Sequence, residues 1–312
     1  MTKAKSEKPK HPKMQRYTLR DFEREFPNDD ACLEWLKNHL YPEGIFCETC
    51  QRVTKHHKAT SRRSYTCDYC GLHVHPTVNT ICHKSPTPLR LWFYAIYLMA
   101  STRCGISAKQ LERELGVTYK TAWRMFKQIR SMLNEGLDPL SGKVEVDETY
   151  VGGKAKNMHK DRREKVIQGR GAVGKVPVVG AVQREGRVIA KTAAEVNADT
   201  LIPFVKEHIM PESTVFTDEH RGYGDVESSG YAHKRVHHSA KVYVIGDAHT
   251  NTIEGFWSLV KNGIRGVYHN VGAKYLQTYF DEYSFRYNRR HDSQPMFVSF
   301  LQQFEKASEK LS

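Results

Sequence analysis

Apolar residues recur along this chain at two periods, three-to-four and two, and the switches between them mark its parts. Between Thr18 and Leu40 they fall at helical steps, Leu19, Phe22 and Phe26, then Cys32, Leu33, Leu36 and Leu40, with a break at Pro27-Asn28. Two short helices are predicted, as packing supports for the region after them. Pro88 opens a third helical run, Leu89 to Ala100. Two more runs follow, Ser107–Leu115 and Thr118–Leu133, joined by Gly116-Val117 and carrying the stripes Leu111/Leu115 and Ala122/Trp123/Phe126/Ile129. Ser107 and Thr118 suit N-cap positions, where a hydroxyl accepts from a first-turn amide. Past the turn-rich linker Asp138–Gly142 the pattern becomes that of strands. Lys143–Val151 runs to Gly152-Gly153, Val176–Gln183 and Val188–Ala194 flank the hairpin signal Arg184–Arg187, and Thr214–Thr217 leads into Asp218. Asn197–Ile209 reads as a helix between these strands, Lys234–His238 as a further strand, and basic, weakly periodic Asn157–Gly174 as a mobile loop. Helical spacing returns in Asn251–Arg265, with Ile253, Phe256, Trp257, Val260 and Ile264 on one stripe, and in the closing segment Gly272–Asn288.

The 312 residues therefore divide into several domains. The expected boundaries are a basic disordered tail (1–16), a helical support (17–43), a cysteine-bearing region (44–86), a helix-pair region (87–137), an α/β region (143–290) and a C-terminal tail (291–312). The cysteines give the third region its chemistry. Cys47 and Cys50 form one Cys-x-x-Cys pair and Cys67 and Cys70 another, with sixteen residues between. Each pair turns two thiolates toward one centre, and four sulfurs satisfy tetrahedral zinc while leaving no open position, so a zinc ribbon with one structural Zn²⁺ is expected. So small a region buries too little apolar surface to fold unaided, and metal binding would supply the difference. His56, His57, His73 and His75 are read as surface residues, since the cysteines complete the shell.

Charge brings in the partner. A formal net charge of +13 and a pI near 9.3 point to a polyanion, most simply nucleic acid. The two helices around Gly116 match a helix-turn-helix, whose second member leaves Tyr119, Lys120, Arg124, Lys127 and Arg130 for a DNA groove and its phosphates. No apolar run is long enough to span a membrane, and Leu89–Ala100 is both short and interrupted by Arg90. The lysine-rich first residues lack the apolar core of a secretory signal.

Asn251 and Glu254 have the spacing of a capping box, which alone would explain the glutamate. Other acids change that reading. Asp147 lies in the first strand, Asp218 ends a later one, and 35 residues separate Asp218 from Glu254, with Lys261 two helical turns further on. This matches the Asp, Asp-35-Glu pattern of the transposase and retroviral-integrase superfamily. The segments Val-Asp-Glu-Thr-Tyr-Val-Gly-Gly, Thr-Asp-Glu-His-Arg-Gly-Tyr and Asn-Thr-Ile-Glu-Gly-Phe-Trp-Ser-Leu-Val-Lys, behind a zinc ribbon, resemble the zinc-ribbon insertion-sequence transposases of bacteria, relatives of the eukaryotic Merlin elements. The resemblance spans nearly the whole chain except the first fifteen residues. Some members carry Asn where this chain has Glu254.

The resemblance implies a multidomain protein: zinc ribbon, helix-turn-helix domain and an α/β ribonuclease H-like catalytic domain. Its implied activity is binding of terminal inverted repeats, metal-dependent cleavage of the element ends and joining of the 3′-hydroxyls to target DNA. It also implies a homodimer or higher multimer on double-stranded DNA, in a bacterial cytoplasm at the nucleoid. Phosphodiester cleavage gives a separate reason for three acids, because two Mg²⁺ or Mn²⁺ ions per site need hard oxygen ligands. By resemblance Asp147 bridges both ions, Asp218 and Glu254 each hold one, and Lys261 meets a DNA phosphate. Two other functions fit the composition: a non-catalytic DNA-binding regulator descended from a transposase, and a ribonuclease H-like structure-specific nuclease. The complete acid set with Lys261 favours the transposase over the regulator. Among neighbours, Glu145 shares the strand face of Asp147 and reads as an ion-pair partner or rival ligand. Glu148 and Glu219 are expected to point elsewhere. Asp247 and His249 precede the last acid, with a loop turn favoured for Asp247; His237 and His238 read as sheet residues and Trp257 as core.

Overall fold

The structure is a computed structural model that describes residues 12–153, 174–236 and 249–304. The expectations for the first eleven residues, for 157–173, and for His237, His238 and Asp247 lie outside these. The chain forms two compact units, one from Met1–Leu133 with Arg290–Ser312 and the other from Asn134–Arg289.

The first unit begins with α1 (Leu19–Glu25) and α2 (Asp29–Leu40). Thr18 and Asp21 form a reciprocal capping box on α1, and Asn28 accepts from the Ala31 amide to start α2, which explains the break at Pro27. Five short strands follow: β1 (Phe46–Cys47), β2 (Arg52–Val53), β3 (His56–Lys58), β4 (Tyr65–Cys67) and β5 (His73–Val74). β1 and β2 form one antiparallel hairpin, and β3, β4 and β5 an antiparallel sheet. Then come α3 (Leu89–Ser101), α4 (Ala108–Leu115) and α5 (Tyr119–Ser131). The hydroxyls of Ser107 and Thr118 cap α4 and α5 as expected, and Gly116, at φ +63, ends α4 in the left-handed conformation that glycine adopts freely. α3 has no cap of its own. Asp29 supplies it from α2, its carboxylate accepting from the amides of Leu89 and Arg90 at 3.0 and 2.8 Å.

Two expectations for this unit change. Met125, not Trp123, takes the inward place on α5, and Trp123 is half-buried. The segment expected as a C-terminal tail contains a helix, Met296–Leu301, whose Phe297, Phe300 and Leu301, with Phe304 beyond it, are buried. Phe297 and Phe304 pack among Phe22, Phe26, Trp35 and Phe93. An apolar run so close to the end of a chain needs a core to enter, and here the first unit provides it.

In the second unit, β6 (Lys143–Val151), β7 (Val176–Gln183) and β8 (Val188–Thr192) form an antiparallel meander. Helix α6 (Ala198–His208), capped by Asn197, leads to β9 (Thr214–Thr217), which pairs parallel with β6; β10 (Ala232–Arg235) pairs parallel with β9. The strand order is β10-β9-β6-β7-β8. β6 is thus central, and the two faces of the sheet bury different helices. Val144 and Val146 join Leu201 and Val205 of α6 on one side, while on the other Val178 and Val182 meet α7 (Asn251–Gly263) and α8 (Leu276–Asn288). Chain order thus makes the first unit's last helix, Met296–Leu301, α9. The linker Asp138–Gly142 is more ordered than its turn-rich sequence implied: Leu140 is fully buried and bridges to Ile209. Past Gly263 the backbone widens into a π-turn, Ile264–Tyr268, that ends at His269 with φ +58. Among the described residues no helix is long and apolar enough to cross a membrane.

Candidate functional site

Asp147 occupies the middle of the central strand, and its two neighbouring strands shape its surroundings. On one side it pairs with Gly180 of β7. A side chain at Gly180 would sit 2.5 Å from the Trp257 ring, so the glycine is what lets the indole lie against the sheet. Trp257, buried as the sequence implied, donates its Nε1–H to Asp147 Oδ2 at 2.9 Å. On the other side Glu145 is in register with Phe216 of β9. The same register two residues on sets Asp147 beside Asp218, just past the end of that strand. The Asp218 carboxylate also accepts from the His220 amide at 2.9 Å.

These neighbours govern charge. Burial, then the charges of Glu148 and Asp218, push the Asp147 carboxyl up to about 7, against the stabilising Trp257 bond. Glu148 does lie on the opposite face of β6, as strand alternation requires, where Tyr223 donates to it at 2.9 Å. Burial, then the charge of Asp218, raise its own pKa. Glu148 thus points to the other face of the strand, as expected, yet it still lines the same cleft as Asp147 and adds its charge to the acidic group. Glu219 is exposed.

A cleft of about 350 Å³ opens over this strand, lined by Asp147, Glu148, Glu254, Trp257, Lys261 and Arg265 among others. Glu254 and Lys261 face it from α7, two turns apart. Burial and the charge of Arg265 lower the Lys261 pKa, while Asp147 opposes them. Asp218 is not part of the cleft lining and reaches Asp147 and Glu148 through its charge. The capping box read from Asn251 and Glu254 does not form. Thr250 is the N-cap residue without a side-chain cap bond, its hydroxyl donating instead to Glu254 Oε1 at 3.2 Å. The cap comes from Glu145, which accepts from the amides of Thr252 and Ile253. Glu145 is therefore engaged with the helix and with Arg184, and is no rival to Asp147 in the cleft.

The four cysteines converge. Cys47 Sγ lies 3.4 Å from Cys70 Sγ and Cys50 Sγ 3.9 Å from Cys67 Sγ, with all four within 4.8 Å of one another. Zn–S bonds of about 2.3 Å require sulfurs about 3.8 Å apart in a tetrahedron, so the set is compatible with a zinc ribbon. Thr54, its hydroxyl 3.2 Å from Cys67 Sγ, is the main influence lowering that thiol to about 6. Among the described residues no other group of three or more potential ligands is drawn so tight.

On α5, Tyr119, Lys120 and Lys127 are exposed, whereas Arg124 donates to Ser85 Oγ at 3.0 Å beside the Trp92 ring. Arg130 departs from expectation. It is 1% exposed, with its guanidinium 3.6 Å from the Phe126 ring, because a residue four after Phe126 shares the buried face of the helix. It has no route to a phosphate from there.

Comparison with known proteins defines the class. Residues 139–288 match the ISXO2-like transposase domain. The chain is 31% identical over 270 residues, 81% of its length, to the uncharacterized protein in transposable element ISH50 of Halobacterium salinarum, and covers 90% of that protein. An uncharacterized transposase-like protein of Haemophilus influenzae is 26% identical over 122 residues, 39% of this chain and 96% of the relative. The protein is thus one of the transposases, and within them it belongs to the ISXO2-like family. Among solved structures, a chain of the simian T-cell lymphotropic virus intasome in complex with PP2A regulatory subunit B56 gamma aligns with a TM-score of 0.28 and 14% identity, covering 62% of this chain and 65% of that one, too distant to carry an argument.

Proposed function

We propose that this transposase binds the terminal inverted repeats of its element, cleaves the ends by metal-dependent phosphodiester hydrolysis, and joins the freed 3′-hydroxyls to target DNA. One observation carries the reading: Asp147 and Glu254, from a central strand and the helix packed on it, line one cleft with Lys261, and Asp218 acts on Asp147 from the adjoining strand end. A meander of three strands extended by two parallel strands on the other side of the first supports a ribonuclease H-like catalytic domain.

The donor set fits hard divalent cations, since every candidate ligand is a carboxylate oxygen and their mutual repulsion is what a cation relieves. Asp147, Asp218 and Glu254 would hold two Mg²⁺ or Mn²⁺ ions. Bound there, such ions would activate the attacking water or 3′-hydroxyl and stabilise charge on the leaving oxygen. The chain's own groups do the rest. Trp257 fixes the orientation of the Asp147 carboxylate, and Lys261 and Arg265 put positive charge along the cleft, where a DNA phosphate would be neutralised. Tyr119, Lys120 and Lys127 meet the groove from α5, Arg124 contributes from its edge, and one zinc ion on Cys47, Cys50, Cys67 and Cys70 holds the ribbon. Two copies on paired DNA ends form the working assembly.

Purified full-length chain with Mg²⁺ or Mn²⁺ should nick and join DNA carrying its own element ends, and Asp147→Asn, Asp218→Asn and Glu254→Gln should each reduce cleavage to background. Wild-type cleavage in these variants would overturn the acid assignment, and cleavage without joining would favour a nuclease. Metal analysis should find about one zinc per chain, lost together with ribbon folding in Cys47→Ser. A folded, zinc-free wild type would refute the ribbon.

A further inference from the structure

The acidic cleft draws Asp147 from a strand and Glu254 from a helix, and something must fix the helix against the strand. Two residues before Asp147, on the same face of β6, Glu145 is fully buried. Four hydrogen bonds reach its carboxylate, and a histidine lies beside it. Arg184 Nε donates at 2.8 Å, the Thr252 amide at 2.8 Å, the Thr252 hydroxyl at 2.9 Å and the Ile253 amide at 3.1 Å, and His249 Nδ1 lies 3.2 Å away. Arg184, just past the end of β7 with its guanidinium 4.0 Å from the Phe216 ring, also donates to the His249 carbonyl at 2.8 Å. The next residue, Thr250, is buried and its hydroxyl bonds Glu254. A continuous polar chain therefore runs from the strand of Asp147, through Arg184 and the backbone before α7, to the carboxylate of Glu254.

We infer that Glu145, Arg184 and Thr250 form a positioning clamp that sets Glu254 at the height and orientation needed to share a divalent cation with Asp147. The inference rests on the metal-binding reading of the cleft. A buried carboxylate is costly unless its donors are complete, and this one has its donors on the segment that leads into Glu254. Whereas α4, α5 and α6 are each capped by the residue preceding them, α7, like α3, has no local cap to set its position. Capping α7 from β6 instead ties the register of the helix to the strand that carries the first acid. Sub-ångström placement is what a shared ligand set demands, and groups that orient ligands typically change metal affinity about 10- to 100-fold when removed.

The test uses the zinc-loaded full-length protein and Mn²⁺ as probe, with binding read directly by calorimetry or electron paramagnetic resonance and folding by circular dichroism. Thr250→Val keeps shape and removes only the hydroxyl that holds Glu254; Arg184→Lys keeps charge but cannot serve both Glu145 and the His249 carbonyl. Both should remain folded and bind element-end DNA as the wild type does, while Mn²⁺ affinity falls about 10-fold or more and cleavage at saturating DNA falls with it. Glu145→Gln should lose more, together with thermal stability. Folded Thr250→Val and Arg184→Lys proteins with wild-type Mn²⁺ affinity would overturn the clamp. Asp147→Asn separates the two claims: if it abolishes Mn²⁺ binding while the clamp variants do not change it, only the clamp fails. If Asp147→Asn leaves Mn²⁺ binding intact, the metal-binding reading fails and takes the clamp with it.

Discussion

Asp147 shows how much a single position depends on residues that carry no chemistry. Its carboxyl is raised to about 7 mainly by burial and then by Glu148, and it is oriented by an indole that fits only because the paired residue is Gly180. Gly180→Ala would place a methyl carbon inside the Trp257 ring contact. Overpacking of this kind costs about 1–3 kcal/mol, and displacing the ring also breaks its bond to Asp147. The expected outcome is a lower melting temperature, an altered near-ultraviolet signal from the tryptophans, and reduced cleavage with unchanged binding to element ends. The glycine was plain in the sequence as one residue of an apolar strand. Its meaning required knowing which helix crosses that strand and where its largest side chain falls.

Helix α7 was legible from its apolar stripe, and Ile253, Phe256, Trp257 and Val260 are all buried. How it is held was not. The capping box inferred from Asn251 and Glu254 depended on local spacing, whereas the cap that forms comes from Glu145, over a hundred residues earlier. The far end of the helix is set by a close approach as well: a Cβ at Gly263 would lie 1.6 Å from the Tyr283 hydroxyl of α8. Gly263→Ala should therefore force these helices apart, destabilising the second unit by about 1–3 kcal/mol or more, read as a shift in the denaturation midpoint. If the midpoint stays in place, the two helices are not locked at this contact. β6, β7 and β9 matched their predicted bounds because runs of β-branched and apolar residues bounded by turn residues are local signals. Arg130 was misjudged for a related reason: its charge suggested an outer face, but the four-residue step from Phe126 places it inside.

Across the whole molecule, the two ends of the sequence contribute to one unit, and the α/β unit is formed by the stretch between them. Helix α9 lends Phe297 and Phe300 to a core that otherwise begins at Phe22. Phe297→Ala should cost the first unit about 3–5 kcal/mol. Limited proteolysis should then cut within residues 12–133 while fragments of the second unit persist. Equal resistance in both units would show that α9 is dispensable to that core.

The sequence by itself determined most of the elements, the cysteine set and the spacing of Asp147, Asp218, Glu254 and Lys261, because periodicity, turn residues and paired thiols are written locally. The family it resembled is the family to which it belongs. Only the tertiary structure decided that Glu148 joins the acidic group, that Glu145 caps the helix of Glu254, that Arg130 is buried and that Phe297, Phe300 and Phe304 complete the first core. Each of these depends on which strand or which face of a helix meets a partner far along the chain, and no local pattern encodes that distance.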